Sequence, residues 1–110
     1  MDSILNSIKK LIGISEDDFF YDTDLIIHIN SAFMILNQIG VGPDSGFSIR
    51  DKTSTWDEFT NNDLELESVK TYVYQKVKLC FDPPTSSVAI DALEKSIKEI
   101  EWRLNVAKDT

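Results

Sequence analysis

Apolar residues recur at steps of three and four along four segments of the chain, a spacing typical of helices that bury one side. The segments cover residues 2–12, 23–39, 63–81 and about 85–107. No segment shows the strict apolar–polar alternation of a half-buried strand. The pattern therefore predicts an all-α fold, a small bundle of four to five helices in a single domain over residues 1–110.

The second segment is apolar on most of its faces. Its stretch LIIHINSAFMILNQI carries no formal charge. Asp22 is the predicted N-cap, and Gly40, followed by Gly42-Pro43, ends the helix. A helix of this kind is normally enclosed by other elements. We expect either that it forms the core of the bundle or that a partner subunit covers part of it.

An acidic, aromatic connector, ISEDDFFYDTD, joins the first two helices after Gly13. We expect Phe19, Phe20 and Tyr21 to anchor the connector in the core, with the acidic side chains facing water. A divalent-cation site is the alternative for these acids. The connector lacks the alternating ligands and central glycine of a calcium loop, so a solvated connector is favoured.

Residues 40–63 predict one long connection rich in Gly, Ser, Thr and Asp. Connections of this length are usually functional or disordered. The apolar residues Phe47, Ile49, Trp56 and Phe59 argue for a structured loop, with Ser54 or Thr55 capping a short turn. These four side chains either pin the loop to the bundle or mark an interface with a partner.

The triplet Asp82-Pro83-Pro84 separates the last two helices. Proline lacks the amide donor and clashes with the preceding turn, so the third helix has to end near Phe81. The last helix then begins with Asp82, Ser86 or Ser87 as its cap. Its apolar seam follows heptad-like steps and comprises Ile90, Leu93, Ile97, Ile100 and Leu104.

Two residues of the last helix are further candidates for an interface. Trp102 falls off the apolar seam, and an exposed aromatic would mark a contact surface. Its neighbour Arg103 follows Glu99 by four residues, the spacing of a stabilising ion pair on a helix.

The net charge of −8 narrows the classes of function. No segment forms a basic stripe, which disfavours tight binding of nucleic acid. One cysteine excludes an internal disulfide, and one cysteine with one histidine cannot build a zinc site. We also expect no signal peptide, no membrane span and no cofactor, and hence an intracellular, soluble protein.

The sequence gives no positive sign of an enzyme. His28 lies within the most apolar helix, and Cys80 lies on the seam of the third helix. Both are predicted to be structural, Cys80 as a small buried hydrophobe. Two alternatives stay open beside a structural assembly protein: a monomeric acidic interaction module, such as an inhibitor that mimics DNA, and a small enzyme using His28.

Four stretches in order resemble the head–tail connector proteins of tailed phages and Gram-positive prophages, also called adaptor or head-completion proteins. They are DTDLIIHINSAFMILNQIGVGP, TWDEF, ESVKTYVYQKVKLCFDPPTSS and EIEWRLN. Together with the first helix they cover nearly the whole chain.

The resemblance implies a non-enzymatic subunit of the virion, assembled in the host cytoplasm and located at the head–tail junction. It implies a ring, dodecameric like the portal, which lies beneath the portal, binds the tail or a stopper protein and extends the channel for double-stranded DNA. The acidic loop of residues 40–63 is expected to line the ring or dock its neighbour. The last helix is expected to leave the Asp82–Pro84 corner as an arm that holds a neighbour or the portal.

Overall fold

A computed structural model describes residues 3–60 and 63–109 of the chain. The described residues form five helices and no strands, which confirms the all-α prediction. The helices are α1 (Ile4–Ile12), α2 (Asp22–Gln38), α3 (Trp56–Phe59), α4 (Asp63–Phe81) and α5 (Ser87–Asp109).

Helix α1 begins and ends where the sequence predicts. Ser3 is its N-cap, and the Ser3 Oγ accepts a hydrogen bond from the Asn6 amide at 3.2 Å. Gly13 ends the helix in the left-handed conformation, with φ of 94°, a backbone conformation that glycine adopts without a Cβ clash. The sequence offers Asp2 or Ser3 as the cap of α1 and Asn62 or Asp63 as the cap of α4. Asp2 and Asn62 lie outside the described residues.

Helix α4 lies in the middle of the molecule, between α2 on one side and α5 on the other. It packs against both of these helices and also against α1. Phe81 contacts Tyr21 and His28 on the α2 side, whereas the Tyr72 hydroxyl contacts Glu101 of α5. These two α4 residues are nine positions apart, which at about 100° per residue places them on opposite sides of the helix.

Helix α2 is buried on one side only. Leu25, Ile29 and Phe33 are fully buried, whereas Ile27 and Met34 are more than half exposed, at 57% and 58%. The first expectation for this helix, that it forms the core of the bundle, is met on its buried side, where five of its residues are buried, but the helix is not enclosed all round. The second, an apolar side left for a partner, stays open.

The long loop is held against α1 and α2 along much of its length. The Asn30 side chain forms two hydrogen bonds with the backbone of Ile49, at 2.7 and 2.9 Å. The Trp56 indole donates to the Ser7 Oγ at 3.2 Å, and the Ile4 amide donates to the carbonyl of Ser54 at 3.0 Å. The predicted structured loop is thus present.

The short helix α3 forms at the predicted turn, with Thr55 rather than Ser54 as its N-cap. The Glu58 carboxylate accepts a hydrogen bond from the Thr55 amide at 3.1 Å, the return half of a capping box. This turn directs both Trp56 and Phe59 into the core, where they are 2% and 4% exposed.

The proline corner reverses the chain direction. Helix α4 ends at Phe81 and α5 begins at Ser87. Ser86 provides the cap, because its Oγ accepts from the Ala89 amide at 3.0 Å. Helix α5 then packs back along α4, with Ile97 and Leu104 buried. The expectation of a protruding last helix is therefore wrong, because the apolar seam of α5 packs against α4 of the same chain.

Candidate interaction surfaces

The apolar residues of the long loop face inward. Ile49, Trp56 and Phe59 belong to the core, and Phe47 is half-buried. The Phe33 ring of α2 contacts the rings of Phe47, Trp56 and Phe59, with centroids 4.9–6.2 Å apart. Of the two interpretations of these residues, the structure supports the one in which they pin the loop, because burial leaves Ile49, Trp56 and Phe59 almost no area for a partner.

Trp102 and Arg103, the other two candidates, lie on the solvent side of α5. Trp102 is 67% exposed. Arg103 is also exposed and pairs with Glu99 at 2.8 Å, as the spacing predicts. An exposed ion pair of this kind adds little stability.

Trp102 belongs to a second heptad-spaced row on α5, opposite the row that packs on α4. We call this row the outer α5 face. Val88 and Val106 each lie nine positions from the buried Ile97. At about 100° per residue, this spacing places both valines on the opposite side of the helix from Ile97. All members of the face are exposed: Val88, Ala92, Lys95, Glu99, Trp102 and Val106.

A corresponding row lies on the solvent side of α2, and we call it the outer α2 face. It is exposed and comprises Asp24, Ile27, Ser31, Met34 and Gln38. The sequence contains a signal for this side, because its polar residues Asp24, Ser31 and Gln38 recur every seven positions. Ile27 and Met34, which alternate with these polar residues, are apolar, so the hydropathy pattern alone does not show that this side is exposed.

The aromatic residues of the connector are exposed, contrary to prediction. Phe19 is 61% exposed, Phe20 83% and Tyr21 37%. The connector does not need aromatic anchors, because a lysine from α1 holds it in place. Phe20 contacts Tyr21 edge-on, and Tyr21 contacts Phe81 in the same way, so these rings form a patch beside the start of α2.

Lys9 is the residue that anchors the connector, and sequence reasoning missed this role. Its side chain is only 1% exposed. The ammonium donates to the carbonyls of Glu16 and Asp18, at 3.2 and 2.7 Å, and to the Asp22 carboxylate at 2.8 Å. These three bonds use all three donors of the ammonium. The only signal in the sequence is the position of Lys9, four residues after Leu5 on the apolar side of α1.

This contact also explains why the predicted N-cap of α2 is wrong. Asp22 is the first residue of the helix, and the N-cap position belongs to Tyr21, which makes no side-chain cap. The Asp22 carboxylate is turned toward Lys9 instead. Its charge still lies in the first turn of α2, where the helix dipole favours an acid.

Neither His28 nor Cys80 is arranged for catalysis. The His28 ring is half-buried beside Phe81, at 6.5 Å between centroids, and within the described residues it forms no hydrogen bond or ion pair with Asp24. Cys80 is exposed, so its prediction as a buried hydrophobe is wrong. It follows Val77 by three positions, yet it lies in the last turn of α4, where this side of the helix is no longer covered.

The corner residues Asp82 and Pro83 are exposed, and Pro84 is half-buried. Asp82 forms an exposed pair with Lys78 at 3.3 Å. Across residues 3–60 and 63–109, no group of three or more His, Cys, Asp or Glu side chains is placed to hold a metal ion. No helix in this part of the chain is long and apolar enough to cross a membrane.

Comparison with known proteins identifies the family. A family model described as phage connector protein matches residues 4–110, almost the whole chain. Searches of curated proteins and of solved structures give no match. The family match agrees with the resemblance carried by the α2, α3, α4 and α5 sequences, and it extends through α1. The chain therefore belongs to the phage connector protein family, whose members are structural proteins of the phage head–tail connection.

Proposed function

We propose that this protein forms a ring beneath the portal of a tailed phage, at the junction of head and tail. The ring joins the DNA-filled head to the tail or to a stopper protein, and it extends the DNA channel. Its symmetry is dodecameric, matching the portal, and it assembles in the host cytoplasm. The observation that carries this proposal, beside the family, is the exposed apolar area on both α2 and α5, since a ring subunit needs two different contact surfaces.

The charge of the molecule supports a conduit for DNA rather than a DNA-binding protein. The net charge is −8, and like charge repels phosphate groups. The long loop contributes exposed acids at Asp44, Asp51, Asp57 and Glu58. We propose that this polar side of the loop lines the channel or docks a neighbour. A ring imaged with the loop on its outer surface, away from both, would contradict this part of the proposal.

The proposed role involves no chemistry by the protein itself. His28 lies beside an aromatic ring and has no hydrogen bond to an acid in the described part of the chain. The exposed Trp102 and Arg103 are proposed contact residues for a neighbouring subunit or the portal. A monomeric acidic inhibitor, the alternative function, needs a surface that mimics DNA charge, and it gives no role to exposed apolar faces on two helices.

Negative-stain electron microscopy of the protein mixed with its cognate portal tests the proposal. We expect an added ring of density on the portal, coaxial with its channel. The size of the isolated protein in solution does not test the proposal, because a connector that is monomeric by itself can still form a ring once the portal is present. Portal particles that gain no density at any protein concentration would overturn the proposed function.

A further inference from the structure

Two exposed helix faces point to opposite sides of the molecule. Helices α2 and α5 lie on opposite sides of α4. The outer face of each is turned away from its own buried residues, and therefore away from α4. On α2 this face carries Ile27 and Met34, and on α5 it carries Val88, Trp102 and Val106.

Both faces follow the spacing of a helix–helix seam. On α2 the steps from Asp24 to Gln38 are three, four, three and four, and on α5 the steps from Val88 to Val106 are four, three, four, three and four. Rows with this spacing are used when two helices pack side by side, with knobs from one helix in holes of the other. Each row also contains a small residue, Ser31 on α2 and Ala92 on α5, which leaves room for a large side chain from a partner.

The charged residues of the two faces complement each other at one point. The outer α2 face carries a single charged residue, Asp24. The outer α5 face carries Lys95 and Glu99. Glu99 pairs with Arg103, whereas Lys95 forms no ion pair in the described part of the chain. An approach of the two faces can therefore bring Asp24 toward an unpaired Lys95.

We propose that the outer α5 face of one copy packs against the outer α2 face of a second copy, head to tail. This pairing rests on the proposed ring and names the surfaces that close it. Trp102 then packs against the side of α2 that carries Ile27 and Met34, and Lys95 lies toward Asp24. Because the two faces lie on opposite sides of the subunit, each added copy presents a fresh face to the next. The small rotation between neighbours in a ring of many copies keeps the contacting faces nearly opposite.

The main alternative is a two-fold pairing of identical faces, such as two antiparallel α5 helices with Lys95 of each beside Glu99 of the other. Such a pairing closes after two copies. It also leaves Ile27 and Met34 on α2 uncovered. The head-to-tail arrangement covers both apolar faces, and for this reason we favour it.

Cysteine crosslinking on the portal tests the pairing. Cys80, the single cysteine of the chain, is first changed to serine. In that background Ser31→Cys marks the outer α2 face and Glu99→Cys marks the outer α5 face, because a pairing with Lys95 near Asp24 places Ser31 opposite Trp102, within one turn of Glu99. Both positions are exposed, so we expect the melting temperature to stay within about 2 °C of the Cys80→Ser parent. The two variants are mixed, assembled with the cognate portal and treated with a short bismaleimide.

The pairing predicts crosslinked dimers from the mixture and little product from either variant alone. A chain carrying both cysteines should give a ladder of higher oligomers. Lys10→Cys, at an exposed site on α1, replaces Ser31→Cys in the control mixture and should give at most a tenth of the product. Efficient crosslinking of Lys95→Cys chains to one another would overturn the proposal in favour of two antiparallel α5 helices.

Electron microscopy of the same samples distinguishes a failure of the proposed ring from a failure of the proposed pairing of faces. A portal-bound ring without crosslinks in the mixture would contradict the pairing of faces and leave the proposed function intact. Portals that carry no ring would contradict the proposed function, and the pairing with it. A ring together with the predicted crosslinks supports both.

Discussion

At the scale of single residues, Gly42 shows how closely the long loop is fitted to the core. Its φ is +91°, and a Cβ added there would overlap the Phe59 ring. That ring cannot move away easily, since it is buried between Phe33 and Phe47. Gly42→Ala therefore combines a strained backbone with overpacking.

Gly13 provides a matched control for this substitution. Its φ is +94°, but a Cβ added there would meet nothing within 4 Å. We expect Gly13→Ala to lower the free energy of unfolding by about 1–2 kcal/mol through backbone strain alone. Gly42→Ala should lower it by about 1–3 kcal/mol more. Urea titrations of both variants measure the difference, and equal losses would contradict the close fit of Phe59 on Gly42.

Lys9 allows a second test at this scale. Lys9→Met keeps the aliphatic stem but leaves the Asp22 carboxylate and two carbonyls without their donor. Because Asp22 retains 25% of its side-chain exposure, water partly replaces the lost partner. We expect a loss of about 2 kcal/mol in stability. Chymotrypsin should also cut faster at Phe19, Phe20 and Tyr21.

The control for this prediction is Lys10→Met, because Lys10 is the exposed neighbour on the same helix. Lys10→Met should change the free energy of unfolding by less than about 0.5 kcal/mol and leave the rate of cleavage by chymotrypsin unchanged. If Lys9→Met and Lys10→Met behaved alike, Lys9 would not be the anchor of the connector.

At the scale of elements, the α4–α5 pair is joined by one buried polar contact. Tyr72 is fully buried, and its hydroxyl donates to the Glu101 carboxylate at 2.6 Å. Tyr72→Phe removes this bond and should cost about 1.5–3 kcal/mol, the range for a hydrogen bond to a charged group. Tyr74→Phe, on the same helix, is the control, since the Tyr74 hydroxyl has no hydrogen bond within the described residues.

The same contact makes stability depend on alkaline pH. Burial raises the pKa of the Tyr72 hydroxyl above its ordinary value, and the hydrogen bond and negative charge of Glu101 raise it further. The unfolded chain therefore releases this proton near pH 10, while the folded chain keeps it. The contribution of Tyr72 is fully present below about pH 10 and is lost as the pH rises above it. Melting curves between pH 8 and 11 should fall less steeply for Tyr72→Phe than for the parent.

The corner between α4 and α5 is a further prediction at this scale. Pro83 and Pro84 restrict the conformations of the unfolded chain and end α4 near Phe81. Replacing both with alanine should lower stability by about 1–2 kcal/mol and disturb assembly on the portal. Asp82→Ala, which removes only an exposed pair with Lys78, should cost less than about 1 kcal/mol. If the double alanine variant melted and assembled like the parent, the corner would have no structural role.

The sequence predicts the elements well because their signals are local. Gly13, Thr55 and the two prolines mark helix ends through their own backbone chemistry. The errors concern residues whose environment depends on distant segments. The burial of Lys9 depends on carbonyls of the connector, and the exposure of Phe20 follows from that anchor. The direction of α5 could not be predicted either, because a proline break fixes where a helix ends but leaves the next helix free to turn.

At the scale of the whole molecule, the core covers one side of α2 and one side of α5. The opposite sides of both helices, which lie away from α4, expose apolar residues. In the proposed ring these two faces meet neighbouring copies, and the net charge of −8 repels the phosphates of DNA in the channel. Family membership and the two faces together support the proposed ring.

The most direct test of this central claim is native mass spectrometry of the purified complex between this protein and its cognate portal. Mass counts the copies of both chains in one measurement. The account predicts one connector chain per portal chain, in a complex of dodecameric symmetry. A portal that carries only one or two copies, or that binds none, would contradict it.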